Sequence, residues 1–340
     1  MKSYQYDAAV LGASGFIGRH LLDRLLKNGS NVRILSRSRS AFRSSLGNSV
    51  DVVYGRLESL DSVMAVTKNV KTIYNCAGLS SDWGKLASFE NANVIGVANL
   101  IEAMKVNTPG RLIHLSTSDV YGYKEVAGDE NCELSDVGLH YNSTKVLGEK
   151  LIWKSVNQQN LPITVLRPST VFGPGAKDWV VEICKALLNK NMLLLNKGES
   201  HAGLIYVDNL VNLMIKTAEL EHASGECYNI RDSYDVSWQQ YVMSLASCLA
   251  GRKWKCFEVP SSIVYGGAIV METAYKLLNT DTRPFLTRHA AYLMSKDQGF
   301  DITKAQNELK FESAVSFEQA MLATCKWINR NDEISRISSH

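Results

Sequence analysis

The sequence predicts an α/β fold with a doubly wound parallel sheet and a smaller C-terminal lobe. Short apolar segments alternate with amphipathic ones through the first half of the chain, which is typical of strands joined by crossover helices. A glycine-rich turn separates the first apolar segment from the first amphipathic one. Small or polar residues follow several predicted strands, and they should share the rim where the carboxyl ends of parallel strands meet. The residues expected on that rim are Gly12, Arg37, Ala77, Thr117 and Pro168.

The first strand, residues 8–11, leads into a predicted helix over residues 16–26, with Gly12, Gly15 and Gly18 in the turn and the first helical residues. Gly12 and Gly15 would let the backbone approach a pyrophosphate, whose negative charge the helix N-terminus favours. Gly18 would allow the helix to pack closely on the strand. The turn therefore indicates a dinucleotide site, with an ordinary tight turn as the alternative.

The second strand, residues 32–35, ends at the sequence Ser36-Arg37-Ser38-Arg39. A site that prefers NAD usually places an acidic residue here for the ribose 2′-hydroxyl. This chain instead has a hydroxyl followed by two arginines, which suit a 2′-phosphate. We therefore expect NADP(H), while a solvated basic loop would leave NAD(H) open.

The remaining pattern continues the alternation and then changes. Strands are predicted at residues 50–54, 72–76, 111–115 and 161–166, with helices over residues 86–105 and 141–156. Residues 176–203 should form a helix and an edge strand outside the sheet. Residues 204–220 should return to the sheet as a strand and a helix. Farther along, Ser316 and Gln319 predict a capping box at the start of the last helix.

One helix carries Tyr141 and Lys145, four residues apart and therefore one turn from each other on the same face. An ammonium beside the phenol would favour phenolate and lower the pKa of Tyr141 from its ordinary value of ~10. Such a tyrosine can pass a proton to or from a substrate oxygen. A solvated Tyr–Lys pair on a helix would have the same spacing. The catalytic interpretation therefore depends on the other motifs in the sequence.

In order and separation, these motifs resemble an extended short-chain dehydrogenase/reductase of the NAD-dependent epimerase/dehydratase group. The matching segments are residues 12–18 (GASGFIG), 75–78 (NCAG), 116–122 (STSDVYG), 141–145 (YNSTK), 167–175 (RPSTVFGPG) and 206–210 (YVDNL). The resemblance covers most of residues 7–230 and implies a Rossmann-type sheet that binds a dinucleotide.

The resemblance also implies a role for each matching residue. Tyr141 would be the acid/base, Lys145 its pKa partner and ribose ligand, and Thr117 the hydrogen-bonding partner of the reacting oxygen. The implied dinucleotide contacts are Gly12, Ser14, Gly15, Phe16, Ile17, Ser36, Arg37, Arg39, Leu57, Ala77, Gly78, Tyr141, Lys145, Pro168, Thr170 and Val171. Arg56 stands where relatives often carry an acid near adenine, and Tyr206 where many sugar-nucleotide members have histidine.

By the same resemblance, residues 1–175 and 204–231 form the dinucleotide-binding domain. Residues 176–203 and 232–331 form a substrate-binding lobe, and residues 332–340 a tail. Two further segments, residues 81–84 (SDWG) and 283–288 (RPFLTR), resemble the 3β-hydroxysteroid dehydrogenase-like branch. The arginines of the second segment either meet an anionic substrate group or serve as capping or solvated charges.

Composition narrows the partners. A net charge of +3 is too small for a nucleic-acid footprint. The seven cysteines are scattered without a Cys-x-x-Cys, so we expect no zinc site, no disulfide and a cytoplasmic location. No metal-ligand clustering of histidines, signal peptide or transmembrane segment is evident. The apolar run at residues 263–271 is either an ordinary lobe helix, a pocket wall or a contact with a membrane surface.

Two helices carry apolar residues that look exposed, namely Leu100, Ile101, Leu147, Leu151 and Trp153. In the family these helices pair across a dimer axis. We therefore expect a homodimer, with packing inside one chain as the alternative.

Together these observations predict an NADP(H)-dependent oxidoreductase that interconverts a secondary alcohol and a ketone on a small-molecule substrate, which is hydrophobic or steroid-like. Two alternatives remain open. One is a sugar-nucleotide epimerase, dehydratase or reductase on the same scaffold. The other is a non-catalytic dinucleotide-binding regulator.

Overall fold

The computed structural model describes residues 4–38, 50–249, 253–278, 280, 282–331 and 334. Its strands are β1 (Tyr6–Leu11), β2 (Val32–Ser36), β3 (Val50–Tyr54), β4 (Val70–Asn75), β5 (Arg111–Leu115), β6 (Ile163–Pro168), β7 (Thr170–Phe172), β8 (Met192–Leu195), β9 (Leu204–Tyr206), β10 (Cys227–Ile230) and β11 (Cys256–Val259). Seven of them form a central sheet in the order β10-β6-β5-β4-β1-β2-β3, and every pairing in that sheet is parallel.

Helices cover both faces of the central sheet. They are α1 (Phe16–Lys27), α2 (Leu60–Thr67), α3 (Leu86–Glu90), α4 (Gly96–Asn107), α5 (His140–Gln159), α6 (Glu182–Leu188), α7 (Val207–Thr217), α8 (Trp238–Cys248), α9 (Ser261–Leu277), α10 (Arg288–Ser295), α11 (Thr303–Glu308) and α12 (Phe317–Ile328). Apolar residues of α2, α4 and α5 bury one face of the sheet, and those of α1 and α7 bury the other. The predicted doubly wound parallel fold is therefore confirmed.

The return of residues 204–220 to the central sheet was predicted wrongly. β9 pairs with β7 in a separate parallel two-stranded sheet, and the seventh strand of the central sheet is β10. β8 and β11 form a second small sheet, which joins residues 192–195 to residues 256–259. A three-residue strand can pair with any neighbouring edge, so its sheet could not be assigned from its sequence.

Two expectations about apolar and sulfur side chains are also wrong. Leu100 and Ile101 are buried between α4 and the sheet, whereas Leu147 is exposed. Cys248 and Cys325 form a disulfide that joins α8 to α12. Those two cysteines are 77 residues apart in sequence, and only the packing of the two helices brings them together. No helix within the described residues has the length and apolarity required to cross a membrane.

A buried ion pair fixes α5 against the sheet. The Arg167 guanidinium on β6 donates from Nε to the Glu149 carboxylate on α5 at 2.9 Å, and a second guanidinium nitrogen binds the same oxygen. Both side chains are almost fully excluded from solvent. The hydroxyl of Ser116 and the indole of Trp153 also donate to this carboxylate. Glu149 lies one turn beyond Lys145, so the pair holds the helix segment on which the predicted site depends.

We predict that Arg167→Met lowers the free energy of unfolding by about 3–5 kcal/mol, because it leaves the Glu149 carboxylate buried without its counter-charge. Urea unfolding followed by circular dichroism measures the loss. The matched control is Arg56→Met, which removes an exposed guanidinium from Glu58 and should change stability by less than about 1 kcal/mol. Equal losses in the two variants would contradict the proposed importance of the buried pair.

Candidate active site

The glycine turn has the geometry that a pyrophosphate site needs. Gly12 has a φ of +80°, and a Cβ there would lie 2.7 Å from the backbone of Cys76 and Ala77. A Cβ at Gly18 would lie 2.1 Å from the Gly12 carbonyl oxygen, as expected for close helix–strand packing. Gly15 is the N-cap of α1, and no side chain caps that end. Its first backbone N–H groups are therefore available to an anion, which fits the dinucleotide implied by the sequence.

The other predicted dinucleotide contacts begin on the expected rim. The strands β6, β5, β4, β1 and β2 are consecutive in the sheet and parallel, so their carboxyl ends lie along one edge. Ser14 and Gly15 are exposed there, Phe16 and Ile17 are half-buried, and Gly78 is exposed beside half-buried Ala77. At the end of β2, Ser36 is buried and Arg37 is exposed. Arg39 lies outside the described residues.

Four predicted contacts sit deeper or farther along. Leu57 is buried beneath Gly96, where a Cβ would meet its side chain at 2.5 Å. Pro168 closes β6, while Thr170 and Val171 belong to β7 and pair with β9. Between these strands, the buried hydroxyl of Ser169 has no hydrogen-bond partner among the described residues. A polar atom left unpaired at this rim also fits a bound polar ligand.

The structure brings Thr117 and Tyr141 together. Thr117 follows β5 and caps a short 3-10 turn, Ser118–Tyr121, by accepting from the Asp119 backbone at 3.2 Å. Tyr141 lies in the first turn of α5. Burial raises the pKa of Tyr141 above its ordinary value of 10, and the Asp119 charge raises it further. Hydrogen bonds with the side chains of Ser80 and Thr117 act in the opposite direction.

The expected lowering of the pKa of Tyr141 is wrong, since burial and Asp119 raise that pKa in this structure. The Lys145 ammonium donates to the backbone carbonyl of Leu115 at 2.7 Å, so its nearest partner is the end of β5. Burial lowers the pKa of Lys145 to about 8, although the Glu149 and Asp119 carboxylates oppose that change. The spacing of the two residues is as predicted, but the surroundings of the phenol dominate its pKa.

A histidine that the sequence did not single out stands beside Tyr141. The ring of His289, at the start of α10, meets the Tyr141 ring edge-on with centroids 5.6 Å apart. Its Nε2 is 2.7 Å from a carboxylate oxygen of Asp119. Burial alone would lower the pKa of His289, but the hydrogen bond and charge of Asp119 raise it above 6.5. A separation of 170 residues gave no sequence signal for this pair.

The two arginines of residues 283–288 are already paired with carboxylates. Arg283 donates from Nε to Asp82 at 2.6 Å, and the Thr287 hydroxyl donates to the same carboxylate at 2.7 Å. Arg288 donates from Nε to the buried Glu272 at 2.7 Å. The first contact ties the loop after β4, residues 81–84, to the loop before α10, residues 283–288.

These elements surround a pocket of about 300 Å³ beside Tyr141. The loop after β4 and the first turn of α5 form one wall, and α9 with the start of α10 forms the other. Aromatic rings contribute much of the lining, namely Trp83, Phe89, Tyr275 and those of Tyr141 and His289. No group of three potential metal ligands occurs within the described ranges.

A parallel sheet with an uncapped glycine turn, and a helix that presents Tyr141 and Lys145 to its rim, is the architecture of NAD(P)-dependent short-chain dehydrogenases/reductases of the extended type. The chain belongs to the NAD dependent epimerase/dehydratase family, whose sequence model matches residues 8–230. The resemblance drawn from the motifs is therefore confirmed, and the protein is an NAD(P)-dependent enzyme of this type.

Individual relatives are similar over most of their length. A 2-alkyl-3-oxoalkanoate reductase from Shewanella oneidensis is 28% identical over 329 residues, covering 92% of this chain and 84% of the relative. A 3beta-hydroxysteroid-dehydrogenase/decarboxylase from Arabidopsis thaliana is 25% identical, covering 93% of this chain and 78% of the relative. The crystal structure of UDP-glucuronic acid 4-epimerase from Bacillus cereus, with UDP-glucuronic acid and NAD, superposes with a TM-score of 0.76. At 22% identity, with 95% of this chain and 99% of that chain covered, it shows the fold alone.

We predict that Gly12→Ala abolishes dinucleotide binding and lowers stability more than Gly29→Ala does. Both glycines have a φ of +80°, so each substitution should cost about 1–2 kcal/mol of backbone strain. Only at Gly12 does the new Cβ also meet neighbouring backbone, which should add about 1–3 kcal/mol. Thermal unfolding and NADPH fluorescence titration measure the two effects. Equal behaviour of the two variants would contradict the role of close approach at Gly12.

Proposed function

We propose that this protein is an NADP(H)-dependent reductase that interconverts a ketone and a secondary alcohol on a largely apolar substrate. The observation that best supports this proposal is the position of Tyr141. Its side chain lines an aromatic pocket and lies with Thr117 near the end of β5. The similarity to a 2-alkyl-3-oxoalkanoate reductase supports a carbonyl as the reacting group.

We propose ketone reduction as the direction, in keeping with the similarity to a reductase. The phenol of Tyr141 holds its proton at neutral pH, since its pKa lies above its ordinary value of 10, and a protonated phenol can act as a general acid. In this direction Tyr141 donates its proton to the carbonyl oxygen, and Thr117 holds that oxygen by a hydrogen bond. Lys145, when protonated, stabilises the phenolate that remains. A bound nicotinamide would supply the hydride to the carbonyl carbon.

The pairing of the arginines near the pocket favours an apolar ketone over a sugar nucleotide. Arg288 lines the pocket and is engaged by Glu272, and Arg283 is engaged by Asp82, a residue of the pocket lining. The lysines of that lining are Lys85 and Lys276. The guanidinium group is the side-chain group whose shape best matches a phosphate. The pyrophosphate of a sugar nucleotide would have to compete with the two carboxylates for it. We therefore rank the sugar-nucleotide reaction second and the non-catalytic regulator third.

The lobe that completes this pocket is proposed as the substrate-binding unit. Residues 232–331 contribute α9 and α10, and residues 176–203 contribute β8, which pairs with β11 just before α9. The pocket therefore lies between the rim and this lobe, where ligand sites commonly occur. The homodimer also stays a prediction, supported by the exposed Ile95 and Leu147 on the α3–α5 side of the sheet.

We predict that Tyr141→Phe reduces kcat for ketone reduction by at least about 100-fold while leaving NADPH binding nearly unchanged, because only the transferable proton is removed. NADPH oxidation with a panel of long-chain 3-oxo acids and steroid ketones measures turnover, and fluorescence titration measures binding. Tyr228→Phe is the matched control, since its hydroxyl bonds to Glu308 away from the pocket. Unchanged turnover of Tyr141→Phe would refute the role of the phenol.

The same assay separates the substrate classes. Incubation with UDP-sugars, followed by chromatography, should give no epimer or dehydrated product. Epimerisation with retained dinucleotide would instead establish the sugar-nucleotide reaction. NADPH binding without turnover of any carbonyl or sugar substrate would favour a regulator.

We predict that Arg37→Ser raises the KM for NADPH by roughly tenfold and leaves the KM for NADH within about twofold, because a charged hydrogen bond contributes about 1.5–3 kcal/mol. The proposal rests on the exposed position of Arg37 at the end of β2 and on the lack of an acid between residues 36 and 39. Steady-state kinetics with both dinucleotides measures the change. Arg330→Ser, which removes an exposed arginine just after α12, is the control. An equal effect on NADH would contradict 2′-phosphate recognition.

A further inference from the structure

The outer side of α9 concentrates exposed apolar side chains. Of the sixteen large apolar residues that are exposed in the described part of the chain, eight fall between residues 254 and 285. That stretch is about a tenth of the sequence. Scattered apolar residues are normal on protein surfaces, but a cluster of this kind marks an interaction site.

The cluster forms one continuous stripe along the helix. Ile263, Val270 and Leu277 are seven residues apart, which places them in a line, and they are 65%, 70% and 82% exposed. Leu278 extends the line, and the positions between them are filled by small uncharged residues, namely Gly266, Gly267, Thr273 and Ala274. None of these positions carries a charge. The Leu286 side chain lies against the Gly267 position, while Ile263, Val270 and Leu277 stay largely exposed within the described ranges.

The inner side of the same helix belongs to the pocket. At about 100° per residue, Glu272 lies on the side of α9 opposite Ile263. It is buried and binds Arg288, while Tyr275 meets the Trp83 ring edge-on at 6.2 Å. Both Glu272 and Tyr275 line the pocket beside Tyr141. One helix therefore separates the pocket from the apolar outer surface.

The charges next to the stripe identify the kind of surface it fits. Lys253 and Lys255 are exposed shortly before α9, and Lys276, which also lines the pocket, is exposed near its C-terminal end, whereas Glu258 is the one exposed acid among residues 253–278. The aromatic side chains of Trp254 and Phe257 are also exposed, and the Lys255 ammonium lies 4.3 Å from the centre of the Phe257 ring. Apolar side chains flanked by lysines and aromatic rings are typical of helices that lie in the headgroup region of anionic membranes.

A second copy of the chain fits the stripe less well. A stable dimer buries about 800 Å² per partner and involves roughly 20–30 residues on each side. The stripe offers only the outer positions of a single helix, which is fewer residues than such an interface needs.

We propose that the outer stripe of α9 docks on an anionic lipid surface, so that an apolar substrate passes between the bilayer and the pocket beside Tyr141. The helix would lie in the interface, with its glycine, aliphatic and threonine positions toward the acyl chains and its pocket side toward the protein. The docking itself is independent of the proposed function, whereas the passage of substrate rests on it.

The test is co-sedimentation of the full-length protein with vesicles of phosphatidylcholine, alone and mixed with phosphatidylglycerol. Wild-type protein should bind the anionic vesicles and be released by high salt. The variant Val270→Asp/Leu277→Asp should bind at least about tenfold more weakly, since two charges enter the apolar face. Val106→Asp/Val126→Asp is the matched control, because it adds the same charges at exposed valines elsewhere and should retain binding.

Three outcomes would overturn the proposal. The first is that wild-type protein does not bind vesicles, and the second is that the stripe variant binds them as well as wild type does. The third is that light scattering shows a smaller oligomer for the stripe variant than for wild type, which would identify the stripe as a subunit interface. Circular dichroism shows whether the stripe variant is folded. Turnover of a short, water-soluble ketone without vesicles should be the same in the stripe variant and wild type. No ketone turnover by wild type would refute the proposed function while leaving the vesicle result to decide the docking.

Discussion

The guanidinium of Arg167 and the carboxylate of Glu149 meet in the buried seam between β6 and α5, and the site is built outward from that contact. An ion pair so far from water is stable only when its remaining polar atoms are also bonded, and here Ser116, Trp153 and Tyr121 provide those bonds. The seam fixes how far α5 can slide or rotate on the sheet. Because Lys145 lies one turn before Glu149 and Tyr141 one turn before that, the same contact sets where both side chains reach the rim.

Close to this ion pair, burial and an acidic neighbour affect the pKa of Tyr141 more than its spacing from Lys145 does. The phenol of Tyr141 is enclosed by the lobe and lies near Asp119, and both effects raise its pKa. Asp119 also holds His289, whose pKa rises in response. Asp119 therefore favours the protonated form of both neighbours, the phenol of Tyr141 and the imidazole of His289. A protonated phenol is the form that can give a proton to a substrate oxygen, as the proposed carbonyl reduction requires.

The sequence predicted what depends on local patterning. Alternating apolar and amphipathic segments predicted six strands of the central sheet and the doubly wound layers, and the positions of Gly12, Gly15 and Gly18 predicted the tight turn and close packing that the structure has. It could not predict contacts between distant segments. The Asp82–Arg283 pair, the Asp119–His289 pair and the Cys248–Cys325 bond join residues 201, 170 and 77 positions apart. The exposure of Leu100 was also misjudged. Leu100 is buried in the core that α2 and α4 form with the sheet, and helix periodicity alone does not say which neighbour covers which face of a helix.

Two of these long-range pairs, Asp82–Arg283 and Asp119–His289, connect the sheet rim with the lobe that contains α9 and α10. The sheet rim supplies the residues proposed for dinucleotide binding and proton transfer, and they are held by parallel strands and by α5. The lobe supplies the second wall of the pocket, and it is tied to the rim through Asp82 and Asp119, each of which lies on a loop that follows a strand. A change in α9 can therefore reshape the pocket without touching Thr117 or Tyr141, whereas His289 on α10 contacts Tyr141 directly. Substrate preference in this architecture should follow the sequence of the lobe, while the reaction at the oxygen should follow the rim.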